Sequence, residues 1–353
     1  MFKIPKVEES SFYIDQAMKS MQEYATKERE KIGERFEKSI GTFRKDLDDV
    51  NREKRKDLEL QKIRYLNDRL NDSLKKIIKN FPNFAKTQEV YINLINTSEV
   101  NVTVIKDALA RLLWIVNTID EFTQATESKL KRTKTQATIG FLMKKYLGKV
   151  NSLFYKNKTF FRNLDEARKF MNKLPTFEDL HTISIAGFPN VAKSTLMKKI
   201  TGSDVEIQNY PFTTKGLMFG YLKEDGAKYI QFIDTPGLLG REKSNDIEQR
   251  AQIVITRYSQ SIIFVIDLTE SSGYNVESQM KLLKKTEELQ KNIVIYLSKT
   301  DIFNEETEEV RAEYDKKLKK YLVFTDAEKL RKHCLDEQKK MIKFDPTKLK
   351  VIR

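Results

Sequence analysis

The chain has 353 residues, and 65 Lys and Arg against 51 Asp and Glu give it a formal net charge of +14 at pH 7. Its single cysteine, Cys334, and its two histidines exclude a disulfide framework, a thiolate metal site and histidine-rich metal chemistry. No apolar run approaches the roughly 20 residues needed to span a bilayer, and the N-terminus lacks the apolar core of a signal peptide. We expect a soluble, cytoplasmic protein that is monomeric when free, with no membrane or DNA partner.

Residues 1–173 are predicted to form an all-helical bundle domain. Between Ser10 and Lys79 there is no proline, and apolar residues recur at a spacing of three and four, as in Leu66, Leu70 and Leu74. This pattern predicts a long amphipathic helix that is broken once or twice. Further helices are predicted at residues 89–96, 102–122, 128–149 and 160–172.

Positive charge is concentrated late in this domain. The stretch Lys129–Lys173 contains 13 Lys and Arg but only two acidic residues. Such an excess favours binding to a polyanion such as RNA, although a solvated helix face has the same composition.

The period of the apolar pattern changes after Leu174-Pro175. Residues 174–353 are predicted to form an α/β P-loop domain, with a mostly parallel sheet that has helices on both faces and a helical C-terminal end. Ligands of such sheets bind at the carboxyl ends of the strands. Strands are expected at residues 182–186, 217–222, 228–233, 261–267 and 292–297, and residues 321–324 could add a last one.

The stretch Ile183–Thr195 has the strand–loop–helix context of a phosphate-binding P-loop. Backbone N–H groups of such a loop and the following helix N-terminus bind phosphate, and Lys193 would lie against the β- and γ-phosphates. The motif has glycine before the lysine, whereas this chain has Ala192, whose methyl group is expected to crowd the phosphate. The predicted nucleotide-binding residues here are Phe188, Pro189, Asn190, Val191, Ala192, Lys193, Ser194 and Thr195.

Two further segments are predicted to complete the phosphate and metal site. Asp234 ends a predicted strand and begins Asp-Thr-Pro-Gly, in which the aspartate would hold Mg²⁺ and the Gly237 N–H would meet the γ-phosphate. The segment from Tyr210 to Gly216 could bring the Thr214 hydroxyl to the metal when the γ-phosphate is present. The predicted metal ligands are thus Ser194, Thr214 and Asp234, and the predicted catalytic groups are Lys193, Thr214 and Gly237.

The predicted base-binding residues are Ser298, Lys299 and Asp301, which follow the strand at 292–297. The Asp301 carboxylate could accept two hydrogen bonds from the N1–H and N2–H₂ edge of guanine, and adenine offers no matching donors. The Lys299 stem would lie along the base. Ser298 stands where this motif has asparagine, so weaker base binding is expected.

Taken in order, these motifs resemble the translation-factor class of small GTPases, and GFPNVAKST, YPFTTKG and DTPGLL resemble its Obg group. With LKRTKTQATIGFLMKK, LPTFEDLHTISIAGFPNV and DLTESSGYNVESQ, residues 1–301 resemble the nucleolar GTP-binding protein (Nog) family. The resemblance implies a GTPase that binds GTP and GDP with Mg²⁺ and acts in large ribosomal subunit assembly, with its helical domain bound to rRNA of the pre-ribosomal particle. Eukaryotic members of that family have a long C-terminal extension, and without one this chain is expected to resemble the short archaeal form.

The sequence leaves several alternatives open. Leu238 stands where other GTPases have a water-orienting glutamine, which predicts slow hydrolysis unless another group supplies this role. Asn190 resembles the asparagine that binds K⁺ in potassium-activated relatives, but it could also only shape the loop. Finally, Ala192 and Ser298 could impair nucleotide binding enough that the protein is an RNA-docking scaffold. A membrane or filament remodeller is a further alternative, although no lipid-binding segment is evident.

Overall fold

The computed structural model of the chain describes residues 2–40, 47–202, 205–208, 217–224, 227–234 and 253–344. They form two compact units. A helical unit comprises Phe2–Thr87 and Glu99–Asn172, and an α/β unit comprises Gln88–Ser98 and the described residues from Lys173 on. The segment Gln88–Ser98 therefore groups with the α/β unit, although it lies within the sequence range predicted for the helical domain. Within the described ranges, no helix combines the length and apolarity needed to cross a membrane.

The helical unit is built around helices α2 (Leu47–Asn80) and α4 (Val102–Arg132), which pack against each other. Leu66, Leu70 and Leu74 are at most 1% exposed, as the three-and-four spacing predicts, and α4 buries Ile105 and Leu112 completely. The helices of this unit are α1 (Ser10–Ile40), α2 (Leu47–Asn80), α4 (Val102–Arg132), α5 (Gln136–Lys156) and α6 (Lys158–Met171), and α3 (Glu89–Ile95) belongs to the α/β unit.

The predicted boundary between the helices at 102–122 and 128–149 is wrong. Helix α4 continues to Arg132, because nothing between Phe122 and Ser128 breaks it. The break falls instead at Thr133–Thr135, where Thr135 adopts an extended conformation and its side chain accepts a hydrogen bond from the Thr138 N–H. Threonine at this position caps the new helix, which then runs to Lys156.

The α/β unit contains a seven-stranded sheet. Its strands are β1 (His181–Ala186), β2 (Val205–Gln208), β3 (Leu217–Glu224), β4 (Ala227–Asp234), β5 (Ser261–Ile266), β6 (Asn292–Leu297) and β7 (Leu322–Phe324). They lie in the order β2-β3-β4-β1-β5-β6-β7. Strands β4, β1, β5, β6 and β7 are mutually parallel, whereas β3 is antiparallel to both of its neighbours. The helices are α7 (Lys193–Thr201), α8 (residues 253–258), α9 (Val276–Glu287), α10 (Glu305–Leu318) and α11 (Ala327–Phe344).

Strands β1, β5 and β6 are continuous β-branched and apolar runs because both faces of the sheet are covered at its centre. Helix α11 packs against α7 and contributes Leu330 and Cys334 to the same core. The parallel strands β4, β1, β5 and β6 end at one edge of the sheet. Asp234 at the end of β4, the loop after β1 and the residues after β6 therefore lie at this edge, and they include predicted phosphate, metal and base residues.

Candidate nucleotide site

The loop between β1 and α7 has the backbone geometry that a phosphate-binding loop requires. Gly187 has φ 141°, and a Cβ atom there would lie 2.6 Å from the Val265 carbonyl oxygen, so no larger residue fits. Asn190 (φ 63°) and Ala192 (φ 68°, ψ 27°) are left-handed. Asparagine tolerates this conformation better than most residues, which agrees with a loop-shaping role for Asn190. An alanine at this φ is strained by about 1–2 kcal/mol, whereas glycine adopts it without this strain.

Ala192 carries backbone strain in addition to the crowding of phosphate that the sequence predicts, and that crowding stays a prediction. The structure places this left-handed alanine immediately before α7. Its carbonyl still accepts the first helical hydrogen bond, from the Leu196 N–H at 2.9 Å. The P-loop conformation is thus retained with alanine in the glycine position, at the cost of backbone strain.

Lys193 is the first residue of α7 and is 6% exposed. Its ammonium group donates a 2.7 Å hydrogen bond to the Phe188 carbonyl oxygen of the same loop. Phe188 in turn packs on Tyr274, with ring centroids 4.3 Å apart. The lysine is therefore held across the loop that it closes, in a position from which it can bind phosphate.

Ser194 and Asp234 are brought together by the pairing of β1 with β4. Asp234 lies opposite Ile185 in the parallel register, and its Oδ2 accepts a 2.6 Å hydrogen bond from the Ser194 hydroxyl. The carboxylate is 4% exposed, and its Oδ1 has no hydrogen-bond partner among the described residues. Burial raises the pKa of Asp234, while the positive charge of Lys193 and the Ser194 hydrogen bond partly offset this.

These two residues fit a magnesium site. A hydroxyl and a carboxylate are the hard oxygen donors that Mg²⁺ binds in combination with nucleotide phosphates. An orphaned, buried carboxylate oxygen is the kind of group that a cation or its water would satisfy. Nowhere in the described ranges do three or more His, Cys, Asp or Glu side chains cluster in a way that could hold a metal ion. The arrangement therefore suits a metal that is held jointly by the protein and a phosphate.

The predicted base-binding residues follow β6. Ser298 is 2% exposed, and both its N–H and its hydroxyl donate to the Ile266 carbonyl oxygen, at 2.9 and 3.2 Å. Lys299 is left-handed (φ 56°), and Asp301 is exposed on the short 3₁₀ turn Thr300–Ile302. The exposed carboxylate is accessible to a base, while the Ser298 hydroxyl is used within the sheet.

Asp267, at the end of β5, is a site residue that the sequence analysis missed. It is fully buried. Its Oδ2 accepts one hydrogen bond from the Lys299 ammonium, at 2.8 Å, and one from the Ser272 N–H, at 2.9 Å. Its Oδ1 accepts hydrogen bonds from the N–H and the hydroxyl of Thr269. Burial alone would raise the pKa of Asp267, but these donors outweigh it and lower the pKa below its usual range.

The effect of Asp267 is to position Lys299. The lysine ammonium is held between Asp267 and the Ser271 hydroxyl, each at 2.8 Å, which fixes the direction of the stem that is predicted to lie along the base. Gln279 of α9 supports the loop, because its side-chain amide bonds both the N–H and the carbonyl of Asp267 at 2.8 Å. The sequence signal that could have identified Asp267 is Asp267-Leu-Thr269 directly after a buried strand. This pattern favours an Asx-type turn at the carboxyl end of the strand.

Several predicted site residues lie outside the described residues. Thr214, with the rest of the segment Tyr210–Gly216, and Gly237 and Leu238 are among them. The predicted catalytic roles of Thr214 and Gly237 stay predictions. Of the remaining predicted residues, the structure brings Phe188–Thr195 and Asp234 into one site and places Ser298, Lys299 and Asp301 at the same sheet edge.

Both units match known protein families. Residues 182–299 match the family described as 50S ribosome-binding GTPase, and residues 3–178 match the family described as NOG1 N-terminal helical domain. A Methanocaldococcus jannaschii protein is 36% identical over 252 residues, which is 70% of each chain. The nucleolar GTP-binding protein 1 of Saccharomyces cerevisiae is 30% identical over 263 residues, or 72% of this chain and 40% of that protein.

Among solved structures, a nucleolar GTP-binding protein 1 from Plasmodium falciparum aligns with 50% of this chain and 97% of its own, at 24% identity and a TM-score of 0.37. The chain spans less than half the length of the yeast relative. The family matches, by contrast, follow one another along the chain in the order of its two units. The chain therefore belongs to the nucleolar GTP-binding protein (Nog) family, in which a helical N-terminal domain precedes a P-loop GTPase domain.

Proposed function

We propose that this protein is a GTPase that acts in the assembly of the large ribosomal subunit and binds its rRNA through the helical domain. The observation that carries the proposal is the pairing of Ser194 with the buried Asp234 beside a P-loop whose lysine starts the following helix. The match of residues 182–299 to a family of 50S ribosome-binding GTPases supports the choice of partner. We also propose that the protein acts in the cytoplasm and is a monomer when free of the particle.

The proposed reaction is hydrolysis of GTP to GDP and inorganic phosphate by attack of water on the γ-phosphorus. Lys193 stabilises negative charge on the β- and γ-phosphate oxygens, and the loop N–H groups bind the β-phosphate. Ser194 and Asp234, with Thr214, would hold Mg²⁺, which neutralises charge on the same phosphate oxygens when it is bound. Leu238 cannot orient water, so slow intrinsic hydrolysis is expected until another group, a bound K⁺ or the ribosomal particle supplies this role.

Guanine selection is assigned to Asp301 and Lys299. The exposed Asp301 carboxylate accepts hydrogen bonds from the guanine edge, and Lys299, fixed by Asp267, packs along the base. Ser298 cannot give the contact of the usual asparagine, because its hydroxyl donates to Ile266. Base affinity thus depends on Asp301 and Lys299 more than in a site with asparagine.

RNA binding is assigned to the basic segment Lys129–Lys173, which includes the end of α4 and the whole of α5 and α6. Lys144, Lys145 and Lys149 are exposed on α5. Cations on a helix surface neutralise phosphates and release counterions, which makes binding depend on salt.

A second candidate function is an RNA-docking scaffold with weak nucleotide binding. The left-handed Ala192 favours it, because strain beside the lysine lowers the population of the binding loop. The two functions are separated by incubating nucleotide-stripped protein with large ribosomal subunits and measuring co-sedimentation with GTP, with GDP and without nucleotide. The proposed GTPase associates differently in the GTP and GDP states, whereas equal association in all three conditions would favour the scaffold.

A further inference from the structure

Helix α5 presents two aromatic rings to solvent. Phe141 is 62% exposed and Tyr155 is 68% exposed, although both belong to a helix that buries Ile139, Met143, Tyr146 and Val150 on its other side. The two rings are fourteen residues apart, which is nearly four helical turns, so they point in nearly the same direction about 21 Å apart along the axis. The core of the unit therefore does not account for either ring.

The surface between the two rings carries small, exposed residues. Gly148 lies midway between Phe141 and Tyr155, two helical turns from each, and a Cβ atom added there would meet nothing within 4 Å. Ser152, one turn further on, is also exposed and small. The two rings thus stand at either end of a shallow stretch that flat groups can approach.

Each ring is accompanied by a cation. Lys145 Nζ lies 5.8 Å from the centroid of the Phe141 ring, and Lys158 Nζ lies 4.9 Å from that of Tyr155. Between them, Lys149 Nζ lies 4.8 Å from the ring of Phe122 on α4. No acidic residue occurs from Gln136 to Lys158. The face is therefore complementary to a polyanion that carries flat groups.

A fourth pair of ring and cation lies near the end of α5. Arg111 of α4 donates a 2.7 Å hydrogen bond to Asn157, the residue between α5 and α6. Its guanidinium carbon is 4.0 Å from the centroid of the Trp114 ring, which is 44% exposed. The alternation of aromatic and basic side chains thus continues from α5 onto α4 near Tyr155.

We infer that the α5 face, defined by Phe141, Lys145, Gly148, Tyr155 and Lys158, binds unpaired RNA by stacking bases on the two rings while the lysines neutralise neighbouring phosphates. The inference deepens the proposed function, on which it rests, by naming single-stranded rather than duplex RNA as the ligand. Stacking on aromatic side chains requires splayed bases, which a duplex does not offer. A lipid surface is disfavoured because the exposed rings alternate with lysines instead of forming a continuous apolar stripe.

The test compares the full chain with Phe141→Ala and Tyr155→Ala variants, using oligouridine and an RNA duplex of the same number of phosphates as probes. Affinity is measured by fluorescence anisotropy over a series of salt concentrations. Each alanine variant should weaken oligouridine binding about tenfold, since stacking on an aromatic ring accounts for roughly that much per base. The salt dependence should stay unchanged, because no phosphate contact is removed.

Phe12→Ala is the matched control, because Phe12 is an exposed ring (45%) of the same unit that lies between Glu9 and Asp15 in the sequence. It should leave both affinities unchanged, and Tyr155→Phe should restore oligouridine binding. Equal weakening of duplex and oligouridine binding, or no effect of either alanine, would overturn the stacking inference while RNA binding itself stands. Failure of the unaltered protein to bind either RNA would overturn both the stacking inference and the proposed RNA binding by the helical domain. Loss of binding to phosphatidylserine vesicles in the alanine variants would reassign the face to lipid.

Discussion

The Ser194 hydroxyl donates a 2.6 Å hydrogen bond to Asp234, a residue 40 positions away in the sequence, and so joins the first turn of α7 to the end of β4. The contact leaves the second oxygen of a carboxylate that is 4% exposed without a partner among the described residues. An unsatisfied buried carboxylate costs stability. Its presence is explained if the group is kept for a cation and a phosphate that the folded protein binds.

Asp234→Asn is therefore expected to stabilise the protein in the absence of nucleotide and to impair nucleotide binding. The amide removes the buried charge, so the free energy of unfolding at neutral pH should rise by about 1–2 kcal/mol. Magnesium-dependent GTP affinity should fall at least tenfold. Urea unfolding and titration with a fluorescent GTP analogue measure the two effects. Asp315→Asn, at an exposed position on α10, is the control that should change neither; a destabilised Asp234→Asn variant would mean that the carboxylate is structural.

Ala192→Gly should act on the fold and on binding together. Glycine adopts a φ of 68° without the strain of alanine, but it also makes the unfolded chain more flexible. The free energy of unfolding should therefore rise by at most about 1 kcal/mol. GDP and GTP should bind more tightly by the same factor, because the loop binds the β-phosphate that they share. Thermal unfolding and calorimetric titration check this. Tighter GTP binding without tighter GDP binding would contradict the assignment of strain to this position.

Asp267→Asn should lower the free energy of unfolding by an amount that depends on pH. A carboxyl whose pKa is lowered by folding contributes stability above its unfolded value of about 4, and that stability is lost as the pH falls through the folded pKa. The variant should thus be less stable than the unaltered protein by about 1–3 kcal/mol at pH 7, and the difference should shrink below about pH 4. Urea unfolding at several pH values measures it.

The same variant distinguishes positioning from mere support of the fold. If Asp267 fixes Lys299, then GTP and GDP affinities should both fall, while the preference for guanine over adenine is retained through Asp301. A variant that is less stable but binds guanine nucleotides normally would confine Asp267 to a structural role.

Charge reversal on α5 tests the assignment of the RNA surface. Lys144→Glu with Lys145→Glu should greatly reduce co-sedimentation with large ribosomal subunits and flatten its salt dependence, since each lost phosphate contact lowers the slope by about 0.7–0.9. Lys284→Glu with Lys285→Glu is the matched control, because these are also adjacent exposed lysines on a helix, but they lie on α9. Equal loss of association in both double variants would mean that net charge, and not a surface on α5, determines the association.

Much of the fold could be predicted from the sequence because its strongest signals are local. Period-3.6 patterns located α1 and α2, and continuous β-branched runs located β1, β5 and β6. Strand β2 was missed because Val205–Gln208 is a short, partly exposed edge strand with no distinctive pattern. The end of α4 was misplaced because the decisive signal was the Thr135 cap and not the apolar period.

The candidate site was predictable only where a motif lies within one segment. Lys193, Ser194 and Asp301 could be named from spacing. The role of Asp267 depends on its contact with Lys299, 32 residues later in the sequence, which exists only once β5 and β6 pair. The strain at Ala192 likewise required the backbone angle, since the sequence alone suggested a steric clash with the ligand.

The central claim is that this is a guanine-nucleotide site, and nucleotide affinity on purified, nucleotide-stripped protein tests it most directly. With Mg²⁺ present, GTP and GDP should bind and ATP should not, and Asp301→Asn should weaken GTP and admit xanthosine triphosphate, because the amide reverses one hydrogen bond to the base. Equal affinity for ATP and GTP, or an Asp301→Asn variant with unchanged selectivity, would contradict the assignment.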